Sequence, residues 1–257
     1  MDLGLKGKVA VVTGGAKGIG SGISEVLAEE GCNLVINYRS DKEYCEKFAF
    51  DLADRTGVKV VTVQGDVSIQ ETVDKIFDTA IEVFGDVDIL INNAGGGSLR
   101  SGDGRKNFED LTYDDWRGVQ DNNLNSAFMM CNKFVGHWKR NGRGGHIVNV
   151  LSKTCLTTNS INNQAYASAK GGLLALTRSL ANEVTPYGII VNGIVPGYVY
   201  NSRTDKDSAR YKKMMSLVPT GDYGHPRDMG TVTAFLCSHA ANQIIGAVID
   251  CTGGTML

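Results

Sequence analysis

Lys8-Val9-Ala10-Val11-Val12-Thr13-Gly14-Gly15-Ala16-Lys17-Gly18-Ile19-Gly20 is the stretch that decides the fold. An apolar run leads straight into a glycine-rich turn, and beyond it Ile23, Val26, Leu27 and Ala28 recur at helical spacing. That pattern reads as buried strand, tight turn, helix. Gly14 and Gly20 allow the turn to close and the helix to pack on the strand, while Gly18 lets main chain approach a pyrophosphate held at the positive end of the helix. With Ala16, Lys17 and Ile19 between them, these residues form a candidate dinucleotide-binding turn. A glycine turn by itself is as often structural, and the spacing departs from G-x-G-x-x-G. Its place directly after the first strand favours binding.

Outward from that unit, strand-like and helix-like segments alternate to the end of the chain. Strands are expected at Asn33–Asn37, Val58–Val63, Val87–Ile91, His146–Leu151, Ile189–Ile194 and Ala247–Asp250. Between them the spacing predicts helices over Lys42–Arg55 behind Ser40-x-x-Glu43, from Ser68-x-x-Glu71 to Phe84, over Tyr113–Arg140 and over Gln164–Val184. A polar stretch follows the sixth strand, and Pro226 opens a further helix. Strands separated by helices pair in parallel through crossovers, so the expected fold is a single doubly wound α/β domain of the Rossmann type spanning residues 1–257. Its sheet should hold about seven parallel strands with helices on both faces. Segments 96–112, 153–164 and 198–222 are left as loops over the substrate.

Composition narrows the function. The chain has 257 residues, 42% of them hydrophobic, and a formal net charge of −2. That is enough to bury a sizeable core, and a near-neutral balance gives no electrostatic reason to bind nucleic acid or an acidic membrane. No apolar run approaches the roughly 20 residues needed to cross a bilayer, and Met1 to Lys8 lacks an apolar signal segment. A cytoplasmic protein is expected. Cys32, Cys45, Cys131, Cys155, Cys237 and Cys251 are scattered without metal-ligand spacing, as are His137, His146, His225 and His239, so reduced thiols and no metal are expected.

Chemistry enters with Gln164-Ala165-Tyr166-Ala167-Ser168-Ala169-Lys170. Tyr166 and Lys170 lie one above the other on the predicted helix. A phenol titrates near about 10, and an ammonium beside it favours the phenolate, which makes the pair a proton donor and acceptor for a carbonyl or alcohol. Ser152 stands at the end of Ile147-Val148-Asn149-Val150-Leu151, on the carboxyl edge of the sheet where α/β folds bind ligands. It can donate a second hydrogen bond to a carbonyl oxygen that gains charge during hydride transfer.

These motifs, taken in order, resemble those of the short-chain dehydrogenase/reductase superfamily, in its subgroup of roughly 250-residue soluble enzymes. Thr13-Gly14-x-x-x-Gly18-Ile19-Gly20 matches the cofactor turn, Asp66-Val67 the adenine contacts, and Asn92-Asn93-Ala94-Gly95 the motif after the fourth strand. Ser152, Tyr166 and Lys170 match the catalytic serine, tyrosine and lysine, with Asn123 as the active-site asparagine. Pro196-Gly197 matches the turn after the sixth strand, and Val199 and Asn201 beyond it are further expected cofactor contacts, although Asn201 stands where many relatives carry a threonine that touches the nicotinamide carboxamide and the adjacent Ser202 could make that contact instead. The resemblance implies that Lys170 also holds the nicotinamide ribose and that Asn123 positions a water linking Lys170 to solvent. Asn93 has an equally good reading as a brace of the sheet. A homodimer or homotetramer built through the two long helices is likewise implied. Ser152 lies fourteen residues before Tyr166, one more than in most relatives, and counting by their spacing lands on Lys153. The strand pattern favours Ser152, and Lys153 then points towards the substrate space or out to solvent, with solvent preferred.

After the second strand, Asn37-Tyr38-Arg39-Ser40 has no acidic residue to grip a ribose 2′-hydroxyl. Arg39, Ser40 and Lys17 suit a 2′-phosphate instead, so NADP(H) is preferred over NAD(H). The substrate is less legible. Thr157, Thr158, Asn159, Asn162, Asn163 and Gln164 suggest a polar wall for a polyol, sugar or keto acid, whereas Tyr198, Tyr200, Met214, Met215 and Leu217 suggest an apolar lid for a steroid-like ketone. Arg100, Arg105 and Lys153 offer positive charge for a carboxylate or an acyl-carrier phosphate. The expected activity is hydride transfer between nicotinamide and a ketone or secondary alcohol. A 3-oxoacyl carrier-protein reductase and a non-catalytic NADP(H)-binding regulator are the alternatives.

Overall fold

The computed structural model describes residues 2–97, 99, 105–157, 161–202 and 204–256. Seven strands, β1 (Val9–Val12), β2 (Asn33–Tyr38), β3 (Val60–Gln64), β4 (Ile89–Asn92), β5 (Gly145–Val150), β6 (Ile189–Pro196) and β7 (Val248–Cys251), form one sheet in the order β3-β2-β1-β4-β5-β6-β7. Every pairing is parallel. The expected Rossmann-type fold is therefore the observed one. Strand order reverses between β1 and β4, which opens a crevice at their carboxyl ends.

Side-chain alternation along the strands supplies both faces. Ala10 and Val12 of β1, Leu34 and Ile36 of β2 and Ile89 and Ile91 of β4 face one core. It is covered by helices α1 (Gly18–Glu29) and α2 (Lys42–Thr56) and, at the end of the chain, by α8 (Pro226–Leu236). Val11, Val35 and Leu90 face the other core with α3 (Gln70–Phe84), α5 (Ser126–Asn141) and α6 (Gln164–Val184). Such two-sided burial explains why the central strands read as continuous apolar runs. Helices α1 and α8 meet backbone to backbone. A Cβ on Gly22 would stand 2.2 Å from the Pro226 carbonyl carbon, and one on Gly230 would stand 2.4 Å from the Gly22 oxygen.

Four details differ from the sequence expectation. Ser40 does not cap α2: Asp41 holds the cap position in the left-handed region, at φ 59°, with no side-chain cap bond. Ser68 does not cap α3 either, because both its main-chain N–H and its hydroxyl donate to Asp66, at 2.9 and 2.7 Å, and the helix begins at Gln70. The long helix expected over Tyr113–Arg140 is two, α4 (Tyr113–Gln120) and α5, joined by a π-helical turn at Asp121–Asn125. Its true start signal is Thr112, which accepts the Asp115 N–H at 3.1 Å while the Asp115 carboxylate reaches back. Lastly, the polar stretch after β6 contains helix α7 (Ala209–Met215), capped by Ser208, whose hydroxyl accepts the Tyr211 N–H at 3.1 Å. Among the described residues no helix is long and apolar enough to cross a membrane.

Candidate active site

Loops at the carboxyl ends of the strands enclose three adjoining clefts. One, of about 400 Å³, lies between the glycine turn and the ends of β2 and β3 and is lined by Gly14, Lys17, Arg39, Ser40, Asp66 and Val67. The second, of about 460 Å³, shares Gly14, Lys17, Ala94 and Gly95 with the first and runs past Asn93, Ser152, Tyr166, Lys170, Pro196 and Gly197. A third, of about 670 Å³, shares Tyr166, Gly197, Val199 and Asn201 with the second and opens towards α7. Their combined volume suits a dinucleotide with a small molecule beyond it.

The glycine turn fits a pyrophosphate on its own geometry. Gly14 and Gly18 have φ of 60° and 52°, a conformation that side chains disfavour. A Cβ on Gly20 would lie 2.2 Å from the Gly14 oxygen, whereas the space beside Gly18 is open. The first turn of α1 carries no acidic residue, so its N–H groups and positive dipole face the cleft uncompensated. Ala16 does not reach the groove; it is 1% exposed and packs in the core beneath the turn, which corrects its assignment as a contact residue. Asn93 acts as a brace as well as a wall. Its Nδ2 donates to the Thr13 and Gly14 carbonyls at 2.9 and 3.1 Å.

At the adenosine end both candidate phosphate-binding cations already have carboxylate partners. Lys17 pairs with Asp41, whose hydrogen bond holds the ammonium above its usual pKa. Arg39 lies 3.5 Å from Asp66. Burial pushes against ionisation of Asp66, but hydrogen bonds from Ser68 and the nearby Arg39 hold it below the usual carboxylate range.

Ser152, Tyr166 and Lys170 converge on the second cleft. Helix α6 presents Tyr166 and Lys170 from its first two turns, while Ser152 stands just beyond β5. Lys170 is 3% exposed and donates to the Val150 carbonyl at 2.8 Å. Its ammonium lies 5.8 Å from the centre of the Tyr166 ring, and burial brings its pKa down to about 8. The phenol is not acidified as the spacing alone predicts. Burial raises the Tyr166 pKa, and a hydrogen bond with the Ser152 side chain only partly offsets that. Ser152 rather than Lys153 stands against Tyr166. Lys153 is not directed to solvent: it is half-buried, with its ammonium 3.5 Å from the centre of the Tyr198 ring, a cation–π contact.

Asn123 sits in the π-helical turn, 1% exposed. Its Nδ2 donates to the Val119 and Gly96 carbonyls at 2.8 and 3.0 Å, and its Oδ1 accepts the Gly96 N–H at 2.9 Å. The amide therefore clasps the loop after β4. Gly95, at φ 153°, makes the clasp possible, since a Cβ there would fall 2.4 Å from Asn123 Oδ1.

The third cleft is polar and phenolic. Asn163, Tyr198, Thr204, Asp205, Ser208, Tyr211 and Tyr223 line it, with Arg105 and Gly97 beside Tyr166. Met214, Met215 and Leu217 do not, so the expected apolar lid is replaced by phenols. Tyr211 and Tyr200 both donate to Asp222, the former at 2.9 Å, and Tyr198 stacks on Tyr223 with ring centres 5.2 Å apart. Tyr211, Tyr223 and Asp222 were missed from sequence; the concentration of tyrosines between residues 198 and 223 was the available signal. Arg100, Thr158 and Asn159 lie outside the described residues. No cluster of three or more His, Cys, Asp or Glu side chains suited to a metal occurs among the described residues.

Residues 14–256 match the family described as enoyl-(acyl carrier protein) reductase. The chain is 32% identical over 256 residues to glucose 1-dehydrogenase 2 of Bacillus subtilis, covering 98% of this chain and 96% of that protein. It is 36% identical over 256 residues to 3beta-hydroxysteroid dehydrogenase 1 of Eggerthella lenta, with 98% and 95% covered. Among solved structures, L-sorbose reductase of Gluconobacter frateurii, complexed with NADPH and L-sorbose, superposes with a TM-score of 0.90 at 28% identity, covering 100% of this chain and 99% of that one.

Proposed function

The chain belongs to the short-chain dehydrogenase/reductase superfamily, oxidoreductases of alcohols and ketones, and we propose that within it the protein is an NADP(H)-dependent enzyme acting on a polar, hydroxylated ketone or secondary alcohol. The observation that carries this reading is the meeting of Ser152, Tyr166 and Lys170 in one cleft that continues into the glycine turn.

Gly14, Gly18, Ile19 and Gly20 hold the pyrophosphate, and Asp66 and Val67 the adenine. Arg39, Ser40 and Lys17 hold the 2′-phosphate. Asn93, Ala94, Gly95, Pro196, Gly197, Val199 and Asn201 flank the nicotinamide half, with Tyr166 and Lys170 on its ribose. When bound, the dinucleotide supplies or accepts the hydride. For a ketone, the hydride adds to the carbonyl carbon, the C=O π electrons move to oxygen, and Tyr166 gives that oxygen its proton. Oxidation runs the same steps backwards. Burial keeps the Tyr166 phenol protonated at neutral pH, which suits an acid. Ser152 donates to the same oxygen as charge develops there. Lys170, with its pKa at about 8, is placed near neutrality and can return a proton to Tyr166. Asn123 contributes by fixing the loop that carries Gly95 and Gly96.

The phenolic, hydroxylic wall supports a polyol- or sugar-like substrate over a steroid or a long acyl chain. All six cysteines are unpaired, consistent with the reducing cytoplasm. A homo-oligomer is supported by an apolar groove of about 400 Å³ between α5 and α6, at whose edge Phe128 is 52% exposed. The test is consumption of NADPH against a panel of ketoses, keto acids, acetoacetyl thioesters and ketosteroids. Tyr166→Phe should lower kcat by about 10²–10⁴ while weakening cofactor binding far less. No turnover of any carbonyl, or full activity in Tyr166→Phe, would refute the reading.

A further inference from the structure

Arg105 stands in the wall of the third cleft, exposed, and no carboxylate pairs with it among the described residues. Its neighbour in sequence differs: Lys106 is turned away and held by Asp115 at 3.0 Å. Arg105 and Tyr166 also line a second, much smaller space with Gly97 and Asn163, which puts Arg105 at the Tyr166 end of the cleft. Gly97 keeps that approach open. A Cβ there would stand 3.1 Å from Asn163 Oδ1 and 3.6 Å from the Tyr166 ring.

The far side of the cleft has the opposite character. Thr204, Asp205 and Ser208 offer hydroxyls and a carboxylate at the entry to α7. One oxygen of Asp205 accepts the Asp207 N–H at 2.9 Å, which leaves further lone pairs for ligand hydroxyls. The other acidic group nearby, Asp222, is engaged by Tyr200, Tyr211 and the Tyr223 N–H. A ligand spanning the cleft thus meets a cation at the Tyr166 end and hydroxyl-binding groups at the other, with tyrosine rings along its length. Planar guanidinium pairs with carboxylate through two parallel hydrogen bonds, and aromatic faces pack on the C–H faces of sugars.

We propose that the substrate is a polyhydroxylated carboxylic acid, a hydroxy- or keto-sugar acid whose carboxylate pairs with Arg105 while its hydroxyls reach Asp205, Thr204 and Ser208. This rests on the reading of the cleft as a substrate site. The carboxylate takes no part in bond making; it selects the substrate and sets which carbon faces Tyr166.

The experiment separates binding from turnover. Affinities of D-gluconate and D-glucitol, which differ only in carboxylate against hydroxymethyl, are measured calorimetrically on the NADP+-loaded protein and its Arg105→Met and Arg105→Lys variants. The expected result is a preference for gluconate of about ten- to a hundredfold, lost in Arg105→Met, partly kept in Arg105→Lys and weakened by added salt. Equal affinity for the two probes, or a preference that survives Arg105→Met, overturns the proposal. Reduction of 5-keto-D-gluconate against L-sorbose by NADPH then tests the reaction separately. If gluconate selection depends on Arg105 yet no carbonyl is reduced, the proposed activity fails and the carboxylate site stands.

Discussion

Replacing Lys170 by methionine should make the protein more stable while removing its activity. The buried ammonium is 3% exposed and donates to the Val150 carbonyl at 2.8 Å. A lysine whose pKa falls from 10.5 to about 8 on folding costs about 3 kcal/mol at neutral pH, because each tenfold change in proton affinity corresponds to about 1.4 kcal/mol. Methionine fills similar volume without a charge, but it leaves the Val150 carbonyl without that donor, a loss of about 1 kcal/mol. The net gain is therefore about 2 kcal/mol, or roughly 4–8 °C in Tm for a domain of this size. Sign and pH window follow from the depressed pKa. Above 10.5 the lysine is neutral in both states and there is no penalty; as pH falls the unfolded chain takes up the proton first, and the penalty is complete below about 8. Parent and variant are melted side by side from neutral to alkaline pH, and the difference between them cancels the other titrating groups. The stability gap should be widest at neutral pH and close as pH rises towards 10.5. A variant no more stable than its parent at neutral pH, or a gap that ignores pH, would refute the reasoning.

Asp41→Asn should free Lys17 for a 2′-phosphate. An exposed ion pair of this kind is worth about 0.2–1 kcal/mol, so NADPH should bind roughly 1.5- to 5-fold tighter by fluorescence titration at low salt, with NADH unchanged. Equal gains for both nucleotides would remove the case for Lys17 as a phosphate ligand. Gly20→Ala places a Cβ 2.2 Å from the Gly14 oxygen and 2.5 Å from Asn93 Nδ2. It should destabilise the fold by about 1–3 kcal/mol and weaken nucleotide binding; denaturant unfolding with nucleotide titration checks it, and parental behaviour in both would show that the turn tolerates relaxation.

Local patterns were read well because their causes are local. The glycine turn, the strand alternation and the span of α6 each depend on residues a few positions apart, and the structure has them where spacing put them. The failures come from groups claimed by something remote or stronger. Ser68 fits a capping box on paper, but the Asp66 carboxylate takes both its donors. Asn123 is held by Gly96, a residue far off in sequence, so its bracing of that loop is not legible from its own neighbours. The direction of the Tyr166 shift was missed since an i,i+4 lysine says nothing about how much water the fold removes, and burial prevails over the charge. Tyr211 and Tyr223 join the wall of the third cleft through Asp222 and Tyr198, contacts between loops that no periodicity encodes.

The bare main-chain contact of α1 with α8 at Gly22 and Gly230 leaves no side-chain cushion between the two helices. One helix begins at the phosphate-facing turn, and the other is entered through the Tyr223–His225 segment at the mouth of the third cleft. A methyl group added at either glycine would therefore push the two helices apart, and through the Tyr223–His225 segment that displacement reaches the mouth of the third cleft although neither glycine lines it.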